Sequence, residues 1–154
     1  MIKELYEHQF VHFACHGSLD ADKPFDSSLG LYSDRLTLLE IVCSQLSAAE
    51  FAFLSSCLSA ALTDGSLEDE GLHITAAFQF CGFRSVIGTS WEMVDEDGHY
   101  LSEQVYRSMF LKYLKQEVPY HERSAKALQF AVRKLRRKRR ITLERWVNFV
   151  HYGA

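Results

Sequence analysis

Phe10-Val11-His12-Phe13-Ala14-Cys15 is β-branched and aromatic and holds no breaker, so it reads as a strand that ends at His16-Gly17. Ala52-Phe53-Leu54-Ser55-Ser56 is a second continuous apolar strand, short enough to be buried on both faces, and it stops at Cys57. A third follows in Arg84-Ser85-Val86-Ile87-Gly88-Thr89-Ser90-Trp91. Between the second and third, Leu72, Thr75, Ala76, Phe78, Gln79 and Phe80 recur at helical spacing, and Gly82 sits where a helix is commonly closed. Strands alternating with helices predict an α/β layer sandwich with a mostly parallel sheet.

The remaining elements fit that frame. A polar loop is expected over 18–28, a short hairpin across Leu29 to Leu36, and a helix over Leu38–Cys43. A second polar loop covers 58–70. Leu101, Val105, Met109, Phe110 and Tyr113 mark one amphipathic helix and 122–139 another, and Trp146 to Tyr152 reads as a last strand or short helix. With no repeat and no linker, residues 1–154 are expected to form one domain.

Composition narrows the class. The chain has 154 residues, 47% of them hydrophobic and 13% aromatic, which excludes disorder and suits one closed core. No apolar run reaches the roughly 18 residues of a membrane span, and the start is too acidic for a secretion signal. The expected address is the cytoplasm. Cys15, Cys43, Cys57 and Cys81 follow no C-x-x-C spacing and read as thiols in a reducing compartment. The net charge of −3 hides a split: residues 1–132 carry 9 basic and 19 acidic side chains, residues 133–154 carry 8 and 1. The run from Arg133 to Arg140 leaves a nuclear address open. It continues the apolar spacing of Ala127, Leu128, Ala131, Val132 and Leu135, so it reads as the end of a helix, and no interleaved aromatic residue argues for nucleic acid.

In open parallel sheets, ligands gather beyond the carboxyl ends of the strands. That rule selects His16 and Cys57, each immediately after a strand. If the strands are parallel neighbours, an imidazole and a thiol emerge on one edge, as a cysteine nucleophile and its base require. Gly17, lacking a β-carbon, lets backbone N–H groups approach a carbonyl and could complete an oxyanion hole with the Cys57 amide. The bland readings stay open at this point: Cys57 as a small buried hydrophobe and His16 as a loop cap. Zinc is the competing use of His12, Cys15, His16 and Cys57, but strand alternation puts Cys15 on the face opposite 12, 14 and 16. No metal or other cofactor is expected. Neither a G-x-S-x-G elbow nor a phosphate loop is present.

Four blocks in order carry a resemblance: His12-Phe13-Ala14-Cys15-His16-Gly17, Leu54-Ser55-Ser56-Cys57, the stretch from Ala77 to Trp91, and Trp146-Val147-Asn148-Phe149-Val150-His151-Tyr152-Gly153. Together they resemble the CHAT domain, a group of caspase-like and separase-like cysteine peptidases often joined to tetratricopeptide repeats. The resemblance implies a three-layer caspase-like sandwich with flanking helices. It also implies His16 as general base and acid, Cys57 as nucleophile, and the Gly17 and Cys57 amides as oxyanion donors. The segment from Trp91 to Asp97 looks like the separase stretch whose aspartate pairs with a basic P1 side chain. By position that residue is Asp95, with Asp97 its nearest rival, and Trp91 would stand behind the substrate groove.

The expected activity is a cysteine endopeptidase cutting after Arg or Lys. Its partners would be a peptide or protein substrate and a repeat segment or regulatory protein that reorders the loops at 18–35 and 58–70. The alternative is an inactive caspase-like scaffold that binds a partner. Only about nine residues precede the first strand, whereas the family usually has further strands there, so the chain is expected to be the carboxyl-terminal, catalytic portion of a longer unit. His8, His73, His99, His121 and His151 are expected to be structural or at the surface.

Overall fold

The computed structural model describes residues 2–20, 22–32, 34–55, 57–60, 70–91, 93–112, 118–138 and 141–153; of residues 57–60, 70–73 and 112 only the backbone is described. The order is α1 (Ile2–Glu7), β1 (Phe10–Phe13), β2 (His16–Leu19), β3 (Ser28–Gly30), β4 (Arg35–Thr37), α2 (Leu38–Cys43), β5 (Phe51–Leu54), β6 (Cys57–Ala60), α3 (Glu70–Phe80), β7 (Ser85–Thr89), α4 (Asp95–Tyr106), α5 (Tyr120–Arg136), α6 (Leu143–Val147) and β8 (Phe149–Gly153). After Tyr106 the chain widens into a π-helical stretch, Arg107–Lys112.

Two four-stranded sheets result. The first runs β1-β5-β7-β8, with β1, β5 and β7 parallel and β8 antiparallel to β7. The second runs β4-β3-β2-β6, antiparallel except for the parallel β2/β6 pair. Side-chain alternation along the first sheet makes the layers. Phe51, Phe53 and Ile87 face a core with Leu101 and Val105 of α4 and Ala127, Leu128 and Ala131 of α5. Ala52, Leu54 and Val86 face the other, with Leu38 and Ile41 of α2 and Ile74, Ala77 and Phe78 of α3. Buried on both faces, β5 and β7 must be apolar throughout, which is why they read as continuous runs.

Helix ends follow local chemistry. Thr37 and Glu40 form a reciprocal capping box that starts α2. Gly82, at φ +127°, closes α3 where any β-carbon would collide with the Leu46 carbonyl. The basic end of α5 is spent within the fold: Lys134 donates to Gln104 at 2.8 Å and lies over Phe130, Arg136 lies over Trp146, and Lys138 over Tyr100. Arg139 and Arg140 lie outside the described residues.

Three expectations need correction. The first strand is two: the chain leaves β1 at Phe13 and re-enters a sheet at His16. Cys57 opens β6 rather than a loop, a step hidden because a four-residue strand is set by its pairing more than by its own composition. The stretch 18–28 is not a free loop throughout, since Ser18 and Leu19 belong to β2, Pro24–Asp26 form a 3₁₀ turn and Ser28 opens β3, which pairs with β4 as the hairpin expected over Leu29 to Leu36. Of 58–70, residues 61–69 lie outside the described residues. The closing segment is both things expected of it, α6 followed by β8.

Candidate active site

β1 and β5 pair in parallel with Phe10 opposite Phe51 and Phe13 opposite Leu54. Beyond them the chain breaks, and β2 and β6 pair in parallel with His16 opposite Cys57 and Gly17 opposite Leu58. The offset is 41 residues in both pairs, so equal two-residue breaks carry the register from one sheet into the next. His16 and Cys57 therefore occupy facing positions on adjacent strands, which in any sheet lie about 4.8 Å apart. They stand just past the carboxyl ends of buried strands, where a parallel sheet opens to ligands.

Exposure alternates straight through the break. His12, Ala14, His16 and Ser18 are exposed while Phe13, Gly17 and Leu19 are buried, and Cys15 packs against the core beneath α2 and α3. His16 thus shares a face with His12 and not with Cys15. On that face a cleft of about 290 Å³ is lined by His12, Ala14, Cys15, His16, Ser55, Met93, Asp95, His99 and Ser102. Across its wall, His12 Nε2 meets Ser55 Oγ at 2.7 Å, and the His12 ring packs against Phe53 and Tyr106. Burial against those rings holds the His12 imidazole below its ordinary pKa and pushes the Tyr106 phenol up. Among the described residues no group of three His, Cys, Asp or Glu side chains could hold a metal.

The carboxylates separate cleanly. Asp95, exposed in the first turn of α4, lines the cleft with His16. Asp97 is only 3% exposed and accepts a bidentate pair from Arg145, Nε at 2.6 Å and Nη2 at 2.8 Å, so its charge is already taken. Gly98, the next residue, brings α4 close to the end of β5: an added β-carbon would meet Met93 and come within 3.7 Å of the Ser55 β-carbon. Trp91 is 43% exposed, apart from the residues that line the cleft. Its backbone is held by Asn148, which accepts from the Ser90 and Trp91 N–H groups and donates to the Trp91 carbonyl at 2.9–3.0 Å. Gly17 lies buried inside β2, between β3 and β6. The Cys57 and His73 side chains lie outside the described part of the structure.

Sequence reasoning missed His99 and His12 as cleft residues, and it missed partners elsewhere. His151 Nε2 lies 2.9 Å from both Ser85 Oγ and Ser124 Oγ, which are 2.6 Å apart, and His121 Nδ1 meets Glu50 at 3.0 Å. Contacts across 27 to 71 residues leave no local signature. His8 bonds only the Glu4 carbonyl one turn back on α1.

Among the described residues no helix is long and apolar enough to cross a membrane. No curated protein matches the chain. The sequence profile of the CHAT domain matches residues 2–154. The chain belongs to the CHAT domain family, which is related to the caspase-like cysteine peptidases.

Proposed function

We propose that this chain is a cysteine endopeptidase with a His16/Cys57 dyad that cuts after Arg or Lys. The observation that carries the reading is the register: His16 faces Cys57 across adjacent parallel strands at an open rim. Asp95 in the cleft that His16 lines supports a cationic P1 side chain, since a carboxylate there would be left unpaired by a neutral one.

In this reading His16 takes the thiol proton of Cys57, and the thiolate attacks the carbonyl carbon of the P1 residue. The negative charge that develops on the carbonyl oxygen is met by the Gly17 and Cys57 amides. Collapse breaks the C–N bond, His16 gives its proton to the departing amine, and a thioester remains. His16 then takes a proton from water, whose oxygen displaces the thiol and frees the new carboxyl end.

The test is labelling with a peptidyl-arginyl acyloxymethyl ketone. Wild type is expected to be modified at Cys57, Cys57→Ala not at all, and Asp95→Asn far more slowly by the arginyl reagent than wild type. Equal labelling of wild type and Cys57→Ala removes the nucleophile. An aspartyl reagent that outcompetes the arginyl one removes Asp95.

A further inference from the structure

The cleft holds a second histidine that the dyad does not use. His12 sits on β1, its Nε2 2.7 Å from Ser55 Oγ, its ring against Phe53 and against Tyr106 at the end of α4. Asp95 lines the same space of about 290 Å³. We propose that His12 is a specificity-determining residue, setting how strongly the cleft prefers a cationic over a neutral P1 side chain, and that this preference is lost when its imidazole gains a proton. The proposal rests on the reading of Asp95 as the P1 carboxylate.

The argument is one of charge in a confined space. With His12 neutral, Asp95, which has no ion-pair partner among the described residues, offers its carboxylate to a guanidinium or ammonium. With His12 protonated, the cleft already contains its own cation, which both competes for Asp95 and repels the incoming one. The ring need not move between the two states. A neutral imidazole can accept from the Ser55 hydroxyl, whereas an imidazolium donates to it while the hydroxyl turns toward the Phe13 carbonyl, 3.4 Å from Ser55 Oγ. Burial against Phe53 and Tyr106 disfavours the charged form, so His12 is held neutral near neutral pH.

The other titratable groups about His12 are Asp95, His99 and Tyr106 on α4, Cys15 and His16 on the stretch after β1, and Glu4 of α1, His8 just after it and Tyr32 in the adjoining cleft. His99 is the rival, because it is a second titratable side chain that lines the cleft. The geometry favours His12, whose ring is fixed by the Ser55 hydroxyl and packed against Phe53 and Tyr106.

The experiment compares two reagents that differ only in P1 charge, an arginyl and a citrullinyl acyloxymethyl ketone, from pH 8 to pH 5.5. Any loss of the general base slows both reagents and cancels in the ratio of their rates, and a field from His16, which lines the same cleft, is common to wild type and the His12 variants, so their difference reads His12 alone. In wild type the arginyl-to-citrullinyl ratio is expected to fall by about tenfold or more on acidification. In His12→Asn and His12→Gln it should stay within about twofold, and in His99→Asn it should fall as in wild type. A flat ratio in wild type overturns the proposal. So does a fall preserved in both His12 variants, or abolished in His99→Asn alone. If neither reagent labels wild type, the peptidase reading has failed by itself. Benzamidine binding followed by NMR over the same pH range then decides His12: release on acidification in wild type but not in the His12 variants sustains the role, and no binding or equal release ends it.

Discussion

At the carboxyl rim of the first sheet, His12, His16, Ser55, Asp95 and His99 line an open cleft, and His16 stands in register with Cys57. At the amino rim, His151 reaches Ser85 and Ser124, each with no exposed surface, and His121 pairs with Glu50, which also meets Arg84 at 3.7 Å. The same residue types appear twice with opposite use. In the rear cluster the hydroxyls and the imidazole satisfy one another around two fully buried serines, so they tie β7, β8 and α5 together. At the front the strands part into a second sheet, and polar groups face solvent where a peptide can arrive. Residue type nominates chemistry; access and spare hydrogen-bonding capacity decide it.

The sharpest break of the comparison is a crossed pair of substitutions. His16→Asn is expected to lower arginyl labelling by about 10³-fold while its unfolding midpoint stays near that of wild type. His151→Asn should do the reverse, with a lower midpoint and a labelling rate per folded molecule close to wild type. If His151→Asn abolishes labelling in protein shown to be folded by circular dichroism, the rear cluster is not merely structural.

The register supplies the next test. One glycine inserted after Ala14 lengthens one break and not the other, so His16 slips past Cys57, and labelling should fall by about 100-fold. A matching glycine after Ser55 restores equal breaks and should recover about tenfold of that loss. Were the single insertion harmless, the shared offset of 41 would have no bearing on the chemistry.

Ser124→Ala probes the rear alone. It leaves Ser85 and His151 short of a partner inside a closed site, and urea unfolding should show a loss of about 1–3 kcal/mol. Ser18→Ala, on the exposed side of β2, should stay within about 0.5 kcal/mol.

What the sequence made legible divides along the same line. Phe51 to Leu54 and Ser85 to Thr89 are buried on both faces, so burial itself wrote the apolar runs from which a parallel sheet follows. Leu38–Cys43 and the close of α3 at Gly82 were legible from spacing and a stop residue. β2 and β6 were not, because four-residue strands are set by their pairing rather than by their own composition. His16 and Cys57 could be nominated from strand ends. The Ser55 bond to His12, the arginine partner of Asp97 and the His151 cluster join residues 27 to 66 positions apart, which only the fold brings together.

The smallest effect concerns acid. Burial lowers the pKa of His151 at the rear and of His12 at the front, so the folded chain resists protons that the unfolded chain accepts near pH 6.5. A histidine held low in the native state contributes stability fully above the unfolded value, and that contribution is lost as pH falls from about 6.5 through the lower native value. The unfolding midpoint should therefore drop between pH 7.5 and pH 5.5. His151→Asn and His12→Asn should each remove part of that slope, and because the two rims share no hydrogen-bond partner the reductions should add in the double variant. A slope that persists undiminished in the double variant would mean that neither rim shelters its imidazole from protons, and the rear cluster would lose its description as a closed site.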